Sequence, residues 1–172
     1  MKKAKIIRFG DPVLREKSQN VTVFHKKLHA TVDIIKNTLS SEENGAALAA
    51  NQVSIPKRIT VIDYLNEYHE MINPEIISSS GKQLDYEGCL SFPGYSGKVN
   101  RAEIVTVKFQ DRYGKEIIIV RSGAMARCIQ HEIDHLNGIL YIDRMTDDFV
   151  LSDENQSKIS VRDLLKITGK NS

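Results

Sequence analysis

Between residues 23 and 39 the apolar side chains fall at helical spacing: Phe24, Leu28, Val32, Ile35 and Leu39, with charged and polar residues between them. The spacing predicts a helix over residues 23–39 with one packed face and one wet face. The run Ser40-Ser41-Glu42-Glu43-Asn44-Gly45 then breaks the period with turn-forming residues. Residues 59–63 read as a strand, and residues 70–77 as a second extended segment interrupted by Pro74. From Glu103 to Phe109 apolar and polar positions roughly alternate. Asp111-Arg112-Tyr113-Gly114-Lys115 reads as a turn, and residues 116–120 supply the returning strand. Gly123 opens a second helix that Gly138 closes as a C-terminal cap. Beyond a turn at residues 152–156, a short helix is predicted near residues 161–167. Helices at separate places with strands between them indicate an α+β fold rather than repeated βαβ units.

A chain of 172 residues reads as one domain, 1–172, with residues 149–172 as a C-terminal tail. Its 41% hydrophobic and 27% charged residues are those of an ordinary globular protein, without repeats or low-complexity tracts. The net charge of +2, with Lys and Arg spread along the chain, argues against a dedicated nucleic-acid binder. No apolar run reaches membrane-spanning length. Ile6-Ile7-Arg8-Phe9-Gly10 is too short for a signal core, so the cytoplasm is the expected location. There, Cys89 and Cys128 are expected as ligands, catalysts or core residues rather than disulfide partners.

The second helix carries the chemistry. Its stretch Cys128-Ile129-Gln130-His131-Glu132-Ile133-Asp134-His135 contains His-Glu-x-x-His, which puts two imidazoles on one face a turn apart. Glu132, beside the first histidine, is placed to handle the proton of a water at the metal. His25 and His29 repeat the spacing without the glutamate, and Lys26 and Lys27 between them would repel a cation. That pair reads as a solvated helix flank, and His69 as an exposed residue. Three residues compete as the third ligand. Glu154 lies where one class of zinc peptidases places it, but its neighbours Ser152, Asp153 and Asn155 look like a capped turn. Cys128 shares the helix face, yet a helix rises roughly 10 Å from Cys128 to His135. Ligands must converge within roughly 2.0–2.3 Å of one ion, so Cys128 reads as a small core residue. Cys89, in Glu87-Gly88-Cys89-Leu90-Ser91, is remote in sequence, and spacing alone does not bring it to the helix.

Three stretches stand together in one order: Gly45-Ala46-Ala47-Leu48-Ala49-Ala50-Asn51-Gln52, Glu87-Gly88-Cys89-Leu90-Ser91 and Gln130-His131-Glu132-Ile133-Asp134-His135. They resemble the peptide deformylase motifs Gly-x-Gly-Leu-Ala-Ala-x-Gln, Glu-Gly-Cys-x-Ser and His-Glu-x-Asp-His. The resemblance runs from Gly10-Asp11-Pro12-Val13-Leu14-Arg15 through Gly138-Ile139-Leu140-Tyr141-Ile142-Asp143. It implies antiparallel sheets packed around a central helix that carries the histidine pair. It implies Cys89, His131 and His135 as metal ligands and Glu132 as proton acceptor and donor. The Gln52 side chain and the Leu90 backbone N–H would be the oxyanion donors, and Gly45, Ala46, Ala47 and Glu87 would bind substrate. The implied reaction removes the formyl group from N-formyl-methionyl peptides of newly made proteins and releases formate. The implied cofactor is one divalent ion, Fe2+ in the cell, with Zn2+, Ni2+ or Co2+ as substitutes. Nascent chains as substrate imply a transient ribosome contact in bacterial or organellar-type translation. Lys158, Arg162, Lys166 and Lys170 give the tail a mild basic bias for it. Neither a membrane nor a specific nucleic acid is implied as a partner.

One motif position departs from the family pattern: Ala47 stands where the second glycine is expected. A Cβ there would narrow the cleft or demand a backbone angle that glycine takes freely. That makes a deformylase-like protein with weak or altered activity the alternative reading, and a metallopeptidase using Glu154 the other. Ala124-Met125 stands where bulkier aliphatic residues are expected, a change that would reshape the substrate's side-chain pocket.

Overall fold

The computed structural model describes residues 1–168. Helix α1 spans Lys26–Leu39, starting later than the apolar period predicts. His25 is extended at φ −143° and occupies the N-cap, so Phe24 packs on the helix from the preceding segment instead. Strands β1 (Ala47–Ala49), β2 (Ile59–Tyr64), β3 (Glu67–Ser80), β4 (Gln83–Cys89), β5 (Phe92–Arg101), β6 (Ile104–Gln110) and β7 (Glu116–Ser122) follow. Then come α2 (Gly123–Leu136), β8 (Phe149–Ser152), β9 (Lys158–Ser160) and α3 (Val161–Ile167).

All strand pairs are antiparallel, in a five-stranded sheet β1-β2-β3-β6-β7 and a four-stranded sheet β4-β5-β8-β9. Three apolar clusters hold them. Leu28, Val32, Ile35 and Leu39 of α1 meet Leu48, Ile59, Val61 and Ile72. Met125, Ala126, Ile129 and Ile133 of α2 meet Ala47, Ile62, Met71, Val105, Val107 and Phe109. Leu14, Val99, Leu140, Tyr141, Ile142, Val150 and Leu164 form the third. The α2 helix therefore lies between the sheets, apolar toward the larger and polar toward the smaller.

Pro74 does not end the predicted extended segment. Strand β3 runs through it because its register with β6 shifts between Ile72 and Glu75, where a ladder donor is not required. Asn73 takes φ 52° at this irregularity, and its amide exchanges two hydrogen bonds of 2.8 Å with the Val21 backbone. Gly138 ends α2 at φ 73°, and a Cβ there would run into the Arg15 backbone. Only glycine meets both demands.

Two histidines depart from their expected exposure. His69 pairs with Ile62 across the β2–β3 ladder, so it is half-buried rather than exposed. Its Nε2 lies 2.9 Å from Glu67 Oε2 and its ring edge-on to Phe109. His29 is also half-buried, with Nε2 2.9 Å from the Arg112 carbonyl and its ring against Tyr113. His25 remains exposed.

The C-terminal residues pack on the rest of the chain. Strand β8 pairs with β5 through Tyr95–Ser152 and Ser96–Leu151, and Leu164 is buried in the third cluster. Arg15 donates to the Thr168 hydroxyl at 2.8 Å. Of the basic tail residues, Lys158, Arg162 and Lys166 are exposed, and Lys170 lies outside the described residues.

Candidate metal centre

The centre is built where α2 meets the turn between β4 and β5. Residues four apart on α2 bring His131 Nε2 to 3.1 Å from His135 Nε2. Cys89, the last residue of β4, places Sγ 3.3 Å from His135 Nε2. The three donor atoms lie within 4.8 Å of one another. Tetrahedral coordination with ordinary metal–nitrogen and metal–sulfur lengths separates neighbouring ligand atoms by about 3.3–3.6 Å. Two imidazoles and a thiol facing one point at such spacing are a donor set for a divalent transition-metal ion.

Buried partners fix each donor. Glu87 lies 3.3 Å from His131 Nδ1, which orients the ring's other nitrogen toward the cluster. The Glu87 carboxylate also accepts from Arg101 Nε at 2.8 Å, Arg101 Nη2 at 2.9 Å and Arg127 Nη1 at 3.2 Å. Burial alone would raise this carboxyl. Hydrogen bonds from His131 and Arg101, together with their charges, hold it well below the usual carboxylate range. Arg101 also pairs with Asp134, the fourth residue of the His-Glu-x-Asp-His run, and Arg144 joins Asp134 at 2.5 Å. Asn51 donates to the His135 carbonyl at 2.6 Å, and the Tyr141 ring lies along His131 at 6.1 Å.

Glu132 is only 4% exposed, with Oε2 3.3 Å from the Thr60 hydroxyl. Burial pushes its carboxyl up to about 7, against the pull of the His131 charge and the Thr60 hydrogen bond. A buried carboxyl in that range is suited to proton transfer near neutral pH. The Gln52 amide is held at both ends. Its Oε1 accepts from Ala49 N–H at 2.9 Å, while its Nε2 donates to Ser91 Oγ at 3.1 Å and lies 3.5 Å from Cys89 Sγ. The Leu90 carbonyl is anchored by Arg8 Nη1 at 2.5 Å, which sets the peptide plane of the turn after Cys89.

A cleft of about 560 Å3 opens beside the centre, with Cys89, His131, Glu132, Gln52, Leu90 and Glu87 in its wall. Ala46 and Ala47 line the side formed by β1, while Gly45 does not line the cleft. A Cβ on Gly45 would press on Leu39 Cδ1 at 2.8 Å, so packing against α1 accounts for that glycine. Ala47 lies in extended β1, and it is absent from the residues with positive φ. No special backbone angle is therefore demanded of it, and the residue, 8% exposed, packs in the α2 cluster.

Cys128 does not join the donor cluster. It is half-buried, packs beside the α2 cluster and contributes to the cleft wall; burial pushes its thiol well up, ahead of the neighbouring Glu132 and Glu87 charges. Glu154 is exposed in the turn between β8 and β9 and likewise stands outside the cluster. Ala124, at the start of α2, is exposed and lines the cleft.

Arg101 and Arg127 were given no role from the sequence, and Ser91, Asn51 and Tyr141 stood in the family-like stretches without one. Arg127 left a local signal, a charge one turn before His131 on an otherwise apolar stretch. Arg101 lies on β5, whose pairing no short pattern reveals.

A thiol, two imidazoles and a buried carboxylate at a cleft define the site class of a metallohydrolase. The chain belongs to the polypeptide deformylase family, whose profile matches residues 3–149. A peptide deformylase of Heliobacterium modesticaldum is 46% identical over 143 residues, 83% of this chain and 94% of that protein. One of Halothermothrix orenii is 51% identical over 142 residues, covering 81% and 92%. The crystal structure of peptide deformylase from Thermotoga maritima aligns at TM-score 0.82 and 38% identity, over 86% of this chain and 100% of that one. The protein is a peptide deformylase, a metal-dependent amidohydrolase of translation-related processing.

Proposed function

We propose that the chain removes the formyl group from N-formyl-methionyl nascent peptides with the following division of labour. Cys89, His131 and His135 hold one divalent ion, Fe2+ in the cell, with Zn2+, Ni2+ or Co2+ as substitutes. The single observation that carries this is the convergence of those three donors beside the buried Glu132 carboxylate at the cleft. When bound, the ion supplies Lewis acidity that lowers the pKa of a water and polarises the formyl oxygen. Glu132 takes the proton of the attacking water and returns it to the departing amine. The Gln52 Nε2–H and the Leu90 backbone N–H donate to the oxygen on which negative charge develops. Products are formate and a peptide with a free amino terminus.

The peptide lies extended along Ala46 and Ala47, its main chain added to the β1 edge. Gly45 acts on this segment by seating it against α1. Glu87, whose carboxylate is engaged by His131, Arg101 and Arg127, contributes as part of the cleft wall. Ala47's extended backbone supports full rather than weakened activity. The exposed position of Glu154 gives no support to a peptidase that uses it as a ligand.

Among the described residues no helix is long and apolar enough to cross a membrane. The proposed setting is the cytoplasm or an organelle with bacterial-type translation, as one catalytic domain with a transient ribosome contact. The exposed Lys158, Arg162 and Lys166 support that contact. Removing the segment would take Leu164 out of the core, so reversing the three charges is the cleaner variant. Loss of salt-dependent co-sedimentation with ribosomes supports the contact, and unchanged binding removes it. The main proposal is tested by formate release from formyl-Met-Ala-Ser beside metal analysis. Stoichiometric metal without turnover would overturn it.

A further inference from the structure

Three consecutive residues near the N-terminus each hold a carbonyl of the two segments beside the metal centre. Ile7 N–H donates to the Gln52 carbonyl at 2.9 Å, Arg8 Nη1 to the Leu90 carbonyl at 2.5 Å and Phe9 N–H to the Ser91 carbonyl at 3.0 Å. The Phe9 ring adds a stack, 4.9 Å from Phe92, which in turn lies 4.8 Å from Tyr95. On the far side, Gln52 Nε2 donates to Ser91 Oγ at 3.1 Å and closes the loop. Residues 7–9 thus strap the Gln52 segment to the turn after Cys89.

That turn depends on support from outside. Cys89 pairs with Phe92 across two residues, Leu90 and Ser91. Neither has positive φ, so the turn is not one of the primed types whose twist suits a two-residue hairpin. Defined turns with no positive φ and no cis proline put their first central residue, here Leu90, in the αR region. There φ is confined to roughly −50 to −90°, whereas the β region admits roughly −60 to −160°. The direction of the Leu90 N–H follows its φ, and that of its carbonyl follows its ψ. A carbonyl pinned by Arg8 therefore holds ψ in αR and leaves the N–H a narrow arc.

We infer that Arg8 is a positioning residue, whose guanidinium keeps the Leu90 N–H aimed at the oxygen on which charge develops. This role rests on the reading of Leu90 and Gln52 as the oxyanion donors. Arg8 does not line the cleft, so it acts through Leu90 rather than on the substrate. It is exposed, and its removal leaves neither a cavity nor a buried charge. An oxyanion donor is effective because it is aligned before the reaction. A donor free to swing loses part of that stabilisation while ground-state binding stays the same.

The test is steady-state turnover of formyl-Met-Ala-Ser by the metal-loaded protein and by its Arg8→Met, Arg8→Lys and Gln52→Leu variants. Loss of a whole oxyanion donor lowers kcat by about 10²–10³, the result expected for Gln52→Leu. Arg8→Met loosens a donor without removing it. Its kcat should fall about tenfold, with KM within about twofold and metal content unchanged. Arg8→Lys keeps a cationic donor and should recover most of the loss. Affinity supplies a readout that general loosening would not reproduce. Arg8→Met should bind methylphosphonyl-Met-Ala-Ser, whose tetrahedral oxygens stand where the charge develops, about tenfold more weakly, and the product Met-Ala-Ser equally well. If Gln52→Leu leaves kcat unchanged, the oxyanion reading fails and the role of Arg8 with it. If Gln52→Leu lowers kcat while Arg8→Met does not, that reading stands and the role of Arg8 alone is overturned. Failure of Arg8→Lys to recover turnover overturns it too, as does equal weakening of analogue and product.

Discussion

Helices α1 and α2 each have 14 residues, and each has a pair of histidines four apart at or within it. They are buried by different means. The covered face of α1 is Leu28, Val32, Ile35 and Leu39, with Thr38 bonded to its own helix. The covered positions of α2 include Arg127, Glu132, Asp134 and His135. An apolar face is satisfied by any close-packed apolar neighbour, because the hydrophobic effect has no direction. A polar face must find a named partner for each group or lose the energy of desolvation. The partners of α2 lie on β2, β4, β5 and the segment after the helix, at Thr60, Glu87, Arg101 and Arg144. Helix α1 therefore needs a volume, whereas α2 needs a geometry. Only the second constraint can hold three donors at one point.

The largest break in that comparison is at the thiol. Cys89→Ala should abolish tight metal binding, while Cys128→Ala, on the same helix as both imidazoles, should leave metal content nearly intact. Replacing His25 and His29 together by Ala should also leave it intact, since spacing without the facing thiol and Glu87 is not a site. Elemental analysis after dialysis reads all three. Equal metal loss in both cysteine variants would remove Cys89 from the ligand set.

Next comes chemistry with assembly preserved. Glu132→Gln keeps the shape and removes the proposed proton acceptor, so metal should remain while kcat falls by about 10²–10⁴. Near-native turnover with metal bound would exclude Glu132 as the base.

A third variant measures the cost of the polar face itself. Arg101→Met leaves the Glu87 and Asp134 carboxylates buried without their shared cation, a change worth about 3–5 kcal/mol. On α1, Ile35→Val removes one methylene from a fully buried side chain and should cost about 0.5–1.5 kcal/mol. Denaturant unfolding of the two proteins compares them directly. Similar losses would mean that the network around α2 is packed no more demandingly than the apolar face of α1.

The same contrast separates what was legible in the sequence from what was not. Helix α2 and the hairpin of β6 and β7 were readable because their period, turn and caps are local. Strands β4 and β5 were not, since Leu84 and Tyr86 face outward while Pro93, Gly94 and Gly97 interrupt any alternation. The histidine pair declared itself through helical spacing. Cys89 did not, because its approach depends on β4 ending beside α2, and only the family resemblance supplied it. Arg101 and Glu87 hid as ordinary charges in a chain where 27% of residues are charged. Pairing across the β4–β5 ladder, rather than composition, makes them buried.

Strand β1 sharpens the comparison most finely, because it packs against both helices at once. Leu48 points into the α1 cluster, whereas Ala47 points into the α2 cluster and also borders the cleft. Were Ala47's methyl an obstacle to the peptide, Ala47→Gly would raise kcat/KM. Its extended backbone and buried methyl argue the reverse: the methyl fills space behind the strand rather than in the peptide's path. The expected result is unchanged metal content and turnover within about twofold. Stability should fall by roughly 1–2 kcal/mol, from the lost methyl burial and the added freedom of glycine in the unfolded chain. Leu48→Ala should cost more, about 2–5 kcal/mol, again with metal retained. A clear gain in kcat/KM for the glycine variant would show that the cleft side of β1 governs this residue, and that its place in the α2 cluster is incidental.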